Sequence, residues 1–137
     1  MLEDTRTKND GRNRIGRVSM VNGPVIHAVG MEHFAMREMV HVGEKRLLGE
    51  IIRMEGDEAT IQVYEETQGM RIGETITGTG EPLSVSLGPG LIGGFFDGIG
   101  RPLSALMDKE GMHITPGIEV PMIDPDKTWD FVPAVQV

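Results

Sequence analysis

The sequence predicts an all-β fold, a small closed antiparallel barrel of six to seven strands within residues 15–86. Short apolar runs recur between turn signals at about the eight- to twelve-residue spacing of small barrels and sandwiches. Glycine accounts for 19 of the 137 residues, which indicates many turns. A chain this short cannot leave many strand edges unpaired, so closure is expected. A Gly-rich connector, a short helix and a partial β-rich segment follow the predicted barrel.

The first predicted hairpin joins residues 15–21 to residues 25–29. Asn22-Gly23-Pro24 between them is typical of a tight turn, because Gly tolerates positive φ and Pro fixes its own φ. Residues 1–14 carry no large apolar residue after Leu2 and no periodicity, so we expect a disordered tail.

The middle of the predicted barrel contains three further strands. Residues 39–42 and 45–54 flank Gly43-Glu44, a two-residue hairpin signal with Gly at its first central position. Glu55-Gly56-Asp57 predicts the next turn. Residues 58–64 then alternate apolar and polar side chains, as expected of a strand with one buried face.

The predicted barrel ends with residues 72–87, which we interpret as two short strands on either side of residues 78–82 (GTGEP). Residues 87–111 follow as a Gly- and Pro-rich connector with a short helix. Pro102 suits the first turn of that helix and Gly111 its end. Leu103, Leu106 and Met107 would share one of its faces.

Residues 112–137 are predicted to be the beginning of a further β-rich domain. Residues 118–122 and 129–137 are interpreted as extended, and Pro121 and Pro133 restrict both to edge strands or irregular ribbon. Alternate residues of the last segment would share one face: Trp129, Phe131, Val135 and Val137.

Composition excludes several functional classes. The formal net charge is −8, with 21 acidic and 13 basic residues, which disfavours binding to nucleic acid. Aromatic residues make up only 4% of the chain, too few for base stacking by an OB-like barrel. The absence of cysteine excludes disulfides, thiolate metal sites and thiol catalysis. No stretch approaches the roughly 20 apolar residues that span a bilayer. We expect a soluble, cytoplasmic protein.

Residues 88–93 match the dinucleotide pattern G-x-G-x-x-G, and Asp108 follows at a suitable distance. The pattern functions only where a helix starts at the glycines and presents its amides to a pyrophosphate. Gly94, Gly98 and Gly100 would interrupt such a helix, so a structural connector is the favoured interpretation. The chain also contains no G-x-x-x-x-G-K-[ST] phosphate loop.

No other group of residues predicts a catalytic, cofactor-binding or metal site. The histidines lack the spacing of metal ligands and are interpreted as surface or turn residues. Paired acids and scattered serines have no aligned partners in sequence. A methionine-rich group could line a partner-binding face, although core filling is the favoured interpretation. The histidines are His27, His33, His41 and His113, and the methionines are Met31, Met36, Met39 and Met54.

Several motifs occur in an order that resembles the catalytic A subunit (alpha chain) of archaeal and vacuolar-type rotary ATPases. Residues 16–25 (GRVSMVNGPV) resemble that family's opening strand and turn, and residues 47–53 (LLGEIIR) a later strand. Residues 87–103 resemble the junction between its barrel and its nucleotide domain. Residues 129–133 (WDFVP) resemble the early part of its inserted bulge domain.

The resemblance implies that the barrel assembles with B subunits into a ring, the crown of the catalytic head. It also implies that residues 112–137 begin the bulge domain, which lies near the peripheral stalk subunits. The parent subunit would use ATP or ADP with Mg²⁺ to couple ATP synthesis or hydrolysis to H⁺ or Na⁺ translocation. The family's nucleotide-site residues have no counterpart here, so this chain is expected to be inactive alone and to bind no cofactor. The alternative is a stand-alone barrel that serves as a binding or scaffold module.

Overall fold

Six antiparallel strands close into a barrel in the computed structural model of the protein, which describes residues 14–134. The predicted all-β closed barrel is therefore confirmed. The described chain divides into two compact units between Leu83 and Ser84, and the barrel lies in the first. Its strands are β1 (Ile15–Asn22), β2 (Val25–Val29), β3 (Glu38–Val42), β4 (Leu47–Glu55), β5 (Glu58–Val63) and β6 (Thr75–Pro82).

The strand order around the barrel is β1-β2-β5-β4-β3-β6. Hairpins join β1 to β2, β3 to β4 and β4 to β5, and β2 returns to pair with β5. The last strand closes the ring, because β6 pairs with β1 through Ile15↔Thr77 and with β3 through Val42↔Ile76. Every strand thus has two neighbours, and the sheet has no free edge.

The barrel interior is filled by apolar side chains that alternate along the strands. Ile26, Ile61 and Ile51 lie at successive paired positions of β2, β5 and β4, and all three are fully buried. Gly49 on β4 allows close packing there, since a Cβ at this residue would lie 2.9 Å from Ile61 Cγ2. The buried cluster consists of Val18, Ile26, Ala28, Met31, Phe34, Val40, Val42, Leu47, Ile51, Ala59, Ile61, Val63 and Ile76.

The predicted two-residue hairpin at Gly43-Glu44 is wrong, because the loop contains four residues and β4 begins at Leu47. Gly43 and Arg46 both adopt positive φ, at 74° and 53°. The Arg46 amide donates to the Gly43 carbonyl at 3.1 Å, and the Glu44 amide donates to the Glu74 carboxylate at 3.3 Å. One of these bonds lies within the loop and the other comes from the distant Glu74; together they satisfy backbone groups of the loop, so the ladder starts later than the hairpin pattern predicts.

The prediction of two short strands in residues 72–87 is also wrong, because β6 is one strand that runs through Gly78 and Gly80. Sequence reasoning assigned these glycines to a turn. Gly78 instead lies opposite Val40 in the β3 ladder, and Gly80, with φ of 81°, belongs to an irregularity within the strand. The glycines provide space beside β3 and do not reverse the chain.

In the second unit, helix α1 spans Leu103–Glu110. Gly111 occupies its C-cap position, which confirms the predicted end, whereas Pro102 is the extended N-cap residue and lies one position before the predicted first turn. Gly111 has φ of 71° and ψ of −134°, a positive-φ conformation that favours glycine. Of the three apolar residues expected on one face, Leu106 is buried, whereas Leu103 and Met107 are exposed.

The predicted β-rich character of residues 112–137 is wrong for the part that the structure describes, since residues 112–134 form turns and irregular ribbon without a strand. Pro121 and Pro133 lack the backbone N–H that a strand ladder needs. Alternating side chains do not make a strand unless another strand is available to pair with it. Val135 and Val137, which were predicted to continue the alternating face, lie outside the described residues, as does the predicted disordered tail apart from Arg14. Residues 14–134 include no helix long and apolar enough to cross a membrane.

We predict that Ile61→Ala lowers the free energy of unfolding of the barrel by about 2–5 kcal/mol, since it leaves a cavity at a fully buried position. Ile61→Val, which removes one methylene, is expected to cost about 0.5–1.5 kcal/mol. Urea titration measures both values. Ile72→Ala is the matched control, because Ile72 is 72% exposed and should change stability by less than about 0.5 kcal/mol. Equal losses at positions 61 and 72 would contradict this account of the core.

Candidate functional site

The dinucleotide-like segment does not form the geometry that its pattern requires. Pro89–Leu91 is a single 3₁₀ turn, preceded by Gly88 in an extended conformation. The Leu91 amide donates to the Gly88 carbonyl at 3.1 Å, and Ile92 returns to extended backbone. No α-helix starts at these glycines, so no set of free helical amides is presented to a pyrophosphate. The segment forms a single 3₁₀ turn within the second unit, and Asp108 is an exposed residue of α1.

Residues 14–134 contain no group of three or more histidine or acidic side chains that could hold a metal ion, so the four histidines do not form part of one. His27 and His41 lie on strands β2 and β3, His33 lies in the loop between them and His113 follows α1. His33 lies 3.8 Å from the Glu32 carboxylate, and both side chains are exposed.

The methionines divide between the core and the surface. Met31 and Met39 are buried and Met54 packs against the core, as the core-filling interpretation predicts. Met36 is different, with about half of its surface (54%) exposed. The four residues therefore do not form one continuous partner-binding face.

One end of the barrel carries a cleft that is too small for a cofactor. The β3–β4 loop and residues 68–74 line it, and its volume is about 170 Å³. Sites for small molecules usually measure roughly 300–1,000 Å³. Lys45 and Glu74 at its rim are already engaged, since Lys45 donates to the Gln68 carbonyl and Glu74 accepts from two loop amides.

The outward face of the barrel has an apolar part and a polar part. On β1 and β2, Ile15, Met20 and Val29 are exposed by 43%, 53% and 38% of their surfaces. On β4 and β5, the outward positions are more polar, with Glu50 paired to Gln62, but Ile52 on β4 is also exposed, by 38% of its surface. Because closure leaves no strand edge for backbone pairing, a protein that contacts the barrel wall would meet these side chains. The barrel wall is therefore the candidate functional surface.

Glu50, Tyr64 and Arg37 form a polar cluster on this wall. The Tyr64 hydroxyl donates to Glu50 Oε2 at 2.5 Å, and Arg37 Nη1 lies 3.5 Å from Glu50 Oε1. The hydrogen bond to Glu50 raises the pKa of Tyr64, with burial and the nearby negative charge acting in the same direction and Arg37 opposing them. A raised pKa means that the cluster stabilises the fold below the usual phenol pKa and loses this contribution as pH rises through the higher value.

In the second unit, Asp97 organises the turn before α1. Its Oδ1 accepts hydrogen bonds from the amides of Ile99 and Arg101 at 3.2 and 2.8 Å, and its Oδ2 lies 2.7 Å from Arg101 Nε. Arg101 Nη1 also donates to the Ile118 carbonyl at 3.1 Å. Burial alone would raise the pKa of Asp97, but the bonds from Arg101 and Ile99 outweigh it and the pKa is lowered. This part of the connector is thus a fixed turn.

Sequence reasoning missed one buried charge. Glu38, the first residue of β3, is 2% exposed and pairs with Arg14 at 3.1 Å. The predicted strand began at Met39, because an acidic residue is an unusual first residue for a buried strand. The available signal was the pair of glycines at 78 and 80, which leave room for the carboxylate.

Comparisons with known proteins match the barrel to one domain family. Residues 18–80 match the ATP synthase alpha/beta family, beta-barrel domain. This range begins at Val18 inside β1 and ends at Gly80 inside β6, so it covers most of the closed sheet.

Curated relatives extend the similarity to most of the chain. The V-type ATP synthase alpha chain of Clostridium novyi (strain NT) is 56% identical over 123 residues, 90% of this chain. The protein of the same name from Clostridium botulinum (strain Hall) is 54% identical over 124 residues, and that from Anaeromyxobacter dehalogenans (strain 2CP-1) is 52% identical over 120. The chain spans about a fifth (21%) of the length of each of these relatives.

We predict that the phenol of Tyr64, the single tyrosine of the chain, titrates above its ordinary pKa of about 10. The absorbance of tyrosinate during a pH titration measures this value directly. Glu50→Gln should lower the midpoint because it removes the charged acceptor. Arg37→Gln is the opposite control and should raise the midpoint, since it removes the opposing positive charge. A midpoint that neither substitution changes would contradict the assigned cluster.

We predict that the carboxyl of Asp97 titrates below its ordinary pKa of 3.8, measured by the NMR chemical shift of its carboxyl carbon. Because the folded pKa is the lower one, this turn is stabilised above pH 3.8 and loses that stabilisation as pH falls through the folded value. Arg101→Gln should raise the midpoint towards 3.8, and Arg101→Lys should raise it less because the charge remains. A midpoint at or above 3.8 in the unsubstituted protein would overturn the assignment.

Proposed function

We propose that the barrel of this chain, whose residues 18–80 match the beta-barrel domain of the ATP synthase alpha/beta family, is the ring-assembly domain of a V-type ATP synthase alpha chain. The observation that carries the proposal is the closed six-stranded sheet, most of which lies within the matched residues 18–80. The 52–56% identity to relatives named V-type ATP synthase alpha chain supports the same assignment.

The barrel's structure suits an assembly role. A closed sheet whose core is filled by interlocking apolar side chains resists deformation, as a ring under rotational load requires. Its outward wall combines exposed apolar residues on β1 and β2 with the polar cluster around Glu50 of β4, which Arg37 and Tyr64 contact from just outside β3 and β5. We propose that this wall contacts B subunits on either side and that the catalytic head forms around such barrels.

Because the chain spans only 21% of the length of its relatives, we propose that the activity belongs to a longer protein. We propose that it couples ATP synthesis or hydrolysis to the translocation of H⁺ or Na⁺, within a complex that sits at the membrane surface facing the cytoplasm. ATP or ADP with Mg²⁺ would bind outside the residues described here, since the chain has no phosphate-loop motif. Peripheral stalk subunits are further proposed partners.

We predict that this chain associates with the B subunit of the same complex when the two are mixed at micromolar concentration. Native mass spectrometry should detect hetero-oligomers that contain both chains. Met20→Asp should weaken the association by about tenfold or more, because it places a charge on the apolar part of the wall. Met20 is 53% exposed, so the substitution should leave the barrel folded.

The matched control is Gln62→Glu, which adds a charge to the polar part of the same wall and should weaken association less than Met20→Asp. Circular dichroism of both variants confirms that they remain folded. The absence of hetero-oligomers at high micromolar concentration, with a folded chain, would overturn the assembly proposal. We also expect the chain alone to hydrolyse no ATP, and hydrolysis by it would contradict the proposed division of roles.

A further inference from the structure

The buried carboxylate of Glu38 lies where β3 begins. Its Oε2 accepts a hydrogen bond from the Ala35 amide at 2.8 Å, in the loop that leads into β3. Its Oε1 accepts a hydrogen bond from the Gly80 amide at 2.9 Å, near the end of β6. One side chain therefore connects two segments that are more than forty residues apart in sequence.

Arg14 neutralises this carboxylate from the segment that leads into β1. Its Nη2 lies 3.1 Å from Glu38 Oε1, and its Nη1 donates to Glu38 Oε2 at 3.3 Å. Nη1 also donates to the His33 carbonyl at 2.9 Å, and the guanidinium lies 5.6 Å from the centre of the Phe34 ring. Arg14 lies just before Ile15, the first residue of β1 that pairs with β6. Side-chain contacts, and not ladder hydrogen bonds, therefore attach Arg14 to the barrel.

The Gly80 amide needs this acceptor because β6 is irregular there. Val40 pairs with Gly78 and Glu38 pairs with Pro82, so Met39 on β3 faces three residues on β6. Extra residues of this kind leave backbone groups outside the ladder. The Glu38 carboxylate satisfies the Gly80 amide, and the Thr79 hydroxyl donates to the Met39 carbonyl at 2.8 Å. The bulge is thus held by side chains.

The two glycines of the bulge leave the space that the ion pair occupies. A Cβ at Gly78 would lie 2.3 Å from Glu38 Oε1 and 3.0 Å from the Phe34 ring. A Cβ at Gly80 would lie 3.0 Å from Arg14 Nη2, and the positive φ of that residue also favours glycine. The GTG sequence of β6 therefore fits the buried pair and is not a turn.

We propose that Arg14 and Glu38 form a strap that couples the segment leading into β1 to the bulge at the end of β6. Without Arg14, Glu38 is a buried charge with no counterion, which is strongly unfavourable. The carboxylate must then turn towards water, and this movement withdraws the acceptor from the Gly80 and Ala35 amides. Loosening the chain before β1 thereby loosens the bulge after Gly78. This inference is independent of the assembly proposal.

The test is amide hydrogen exchange, followed residue by residue by NMR, on the 137-residue chain carrying Arg14→Gln. We expect exchange at Gly80 and Ala35 to accelerate by about tenfold or more, the scale of a lost charge-assisted hydrogen bond. Amides of the paired core strands β2 and β5 should keep their rates. Arg17→Gln is the matched control, because Arg17 lies in β1 and donates instead to the Gly73 carbonyl at 3.0 Å. It should leave Gly80 and Ala35 unchanged.

Arg14→Lys provides a second variant, which keeps the charge but lacks the two-pronged guanidinium. Exchange at Gly80 and Ala35 should lie between the values for the unsubstituted protein and Arg14→Gln. Unchanged exchange at both amides in both variants would overturn the strap. Equal acceleration across all strands would overturn it too, since the pair would then stabilise the barrel as a whole without coupling these two segments.

Discussion

Pairing of β6 with both β1 and β3 is the constraint on which the rest of this structure depends. A six-stranded antiparallel sheet with unpaired first and last strands would expose two rows of backbone donors and acceptors. Closure removes both rows and encloses the apolar cluster around Ile26, Ile51 and Ile61. It also leaves no strand edge through which a neighbour could extend the sheet. The match of residues 18–80 to the ATP synthase alpha/beta family, beta-barrel domain, agrees with this closed sheet.

Closure has a local cost at the end of β6, where the strand bulges opposite Met39. Backbone groups that leave the ladder there would be unsatisfied without a nearby acceptor. Glu38 provides that acceptor, and Arg14 makes its burial tolerable. Both side chains fit only because residues 78 and 80 are glycines, since a Cβ at either position would approach Glu38 or Arg14 too closely. The bulge therefore depends on the charged pair, which satisfies its backbone, and on the two glycines, which leave space for that pair.

The sequence predicted the elements that depend on local signals. Turn residues such as Asn22-Gly23-Pro24, period-two alternation in residues 58–63 and the Pro102 and Gly111 helix boundaries all led to correct elements. Errors arose where distant residues decide the conformation. The β3–β4 loop is held by Glu74 and the bulge by Glu38, and neither contact leaves a periodic signal. The ribbon after residue 112 alternates in sequence but has no strand to pair with. The motifs of the barrel could be recognised in the sequence. Which side chains of different strands lie together on the outer wall could not be predicted, because that depends on the register in which the strands pair.

The most direct measurement is a set of NMR distances across the closing strands of the isolated chain. Closure predicts nuclear Overhauser contacts between Gly16 and Ile76, across β1 and β6, and between Val42 and Ile76, across β6 and β3. Both sets should appear together with those inside the hairpins. Intact hairpin contacts with the β1–β6 set missing would show an open sheet, and the account of the barrel wall would then be wrong.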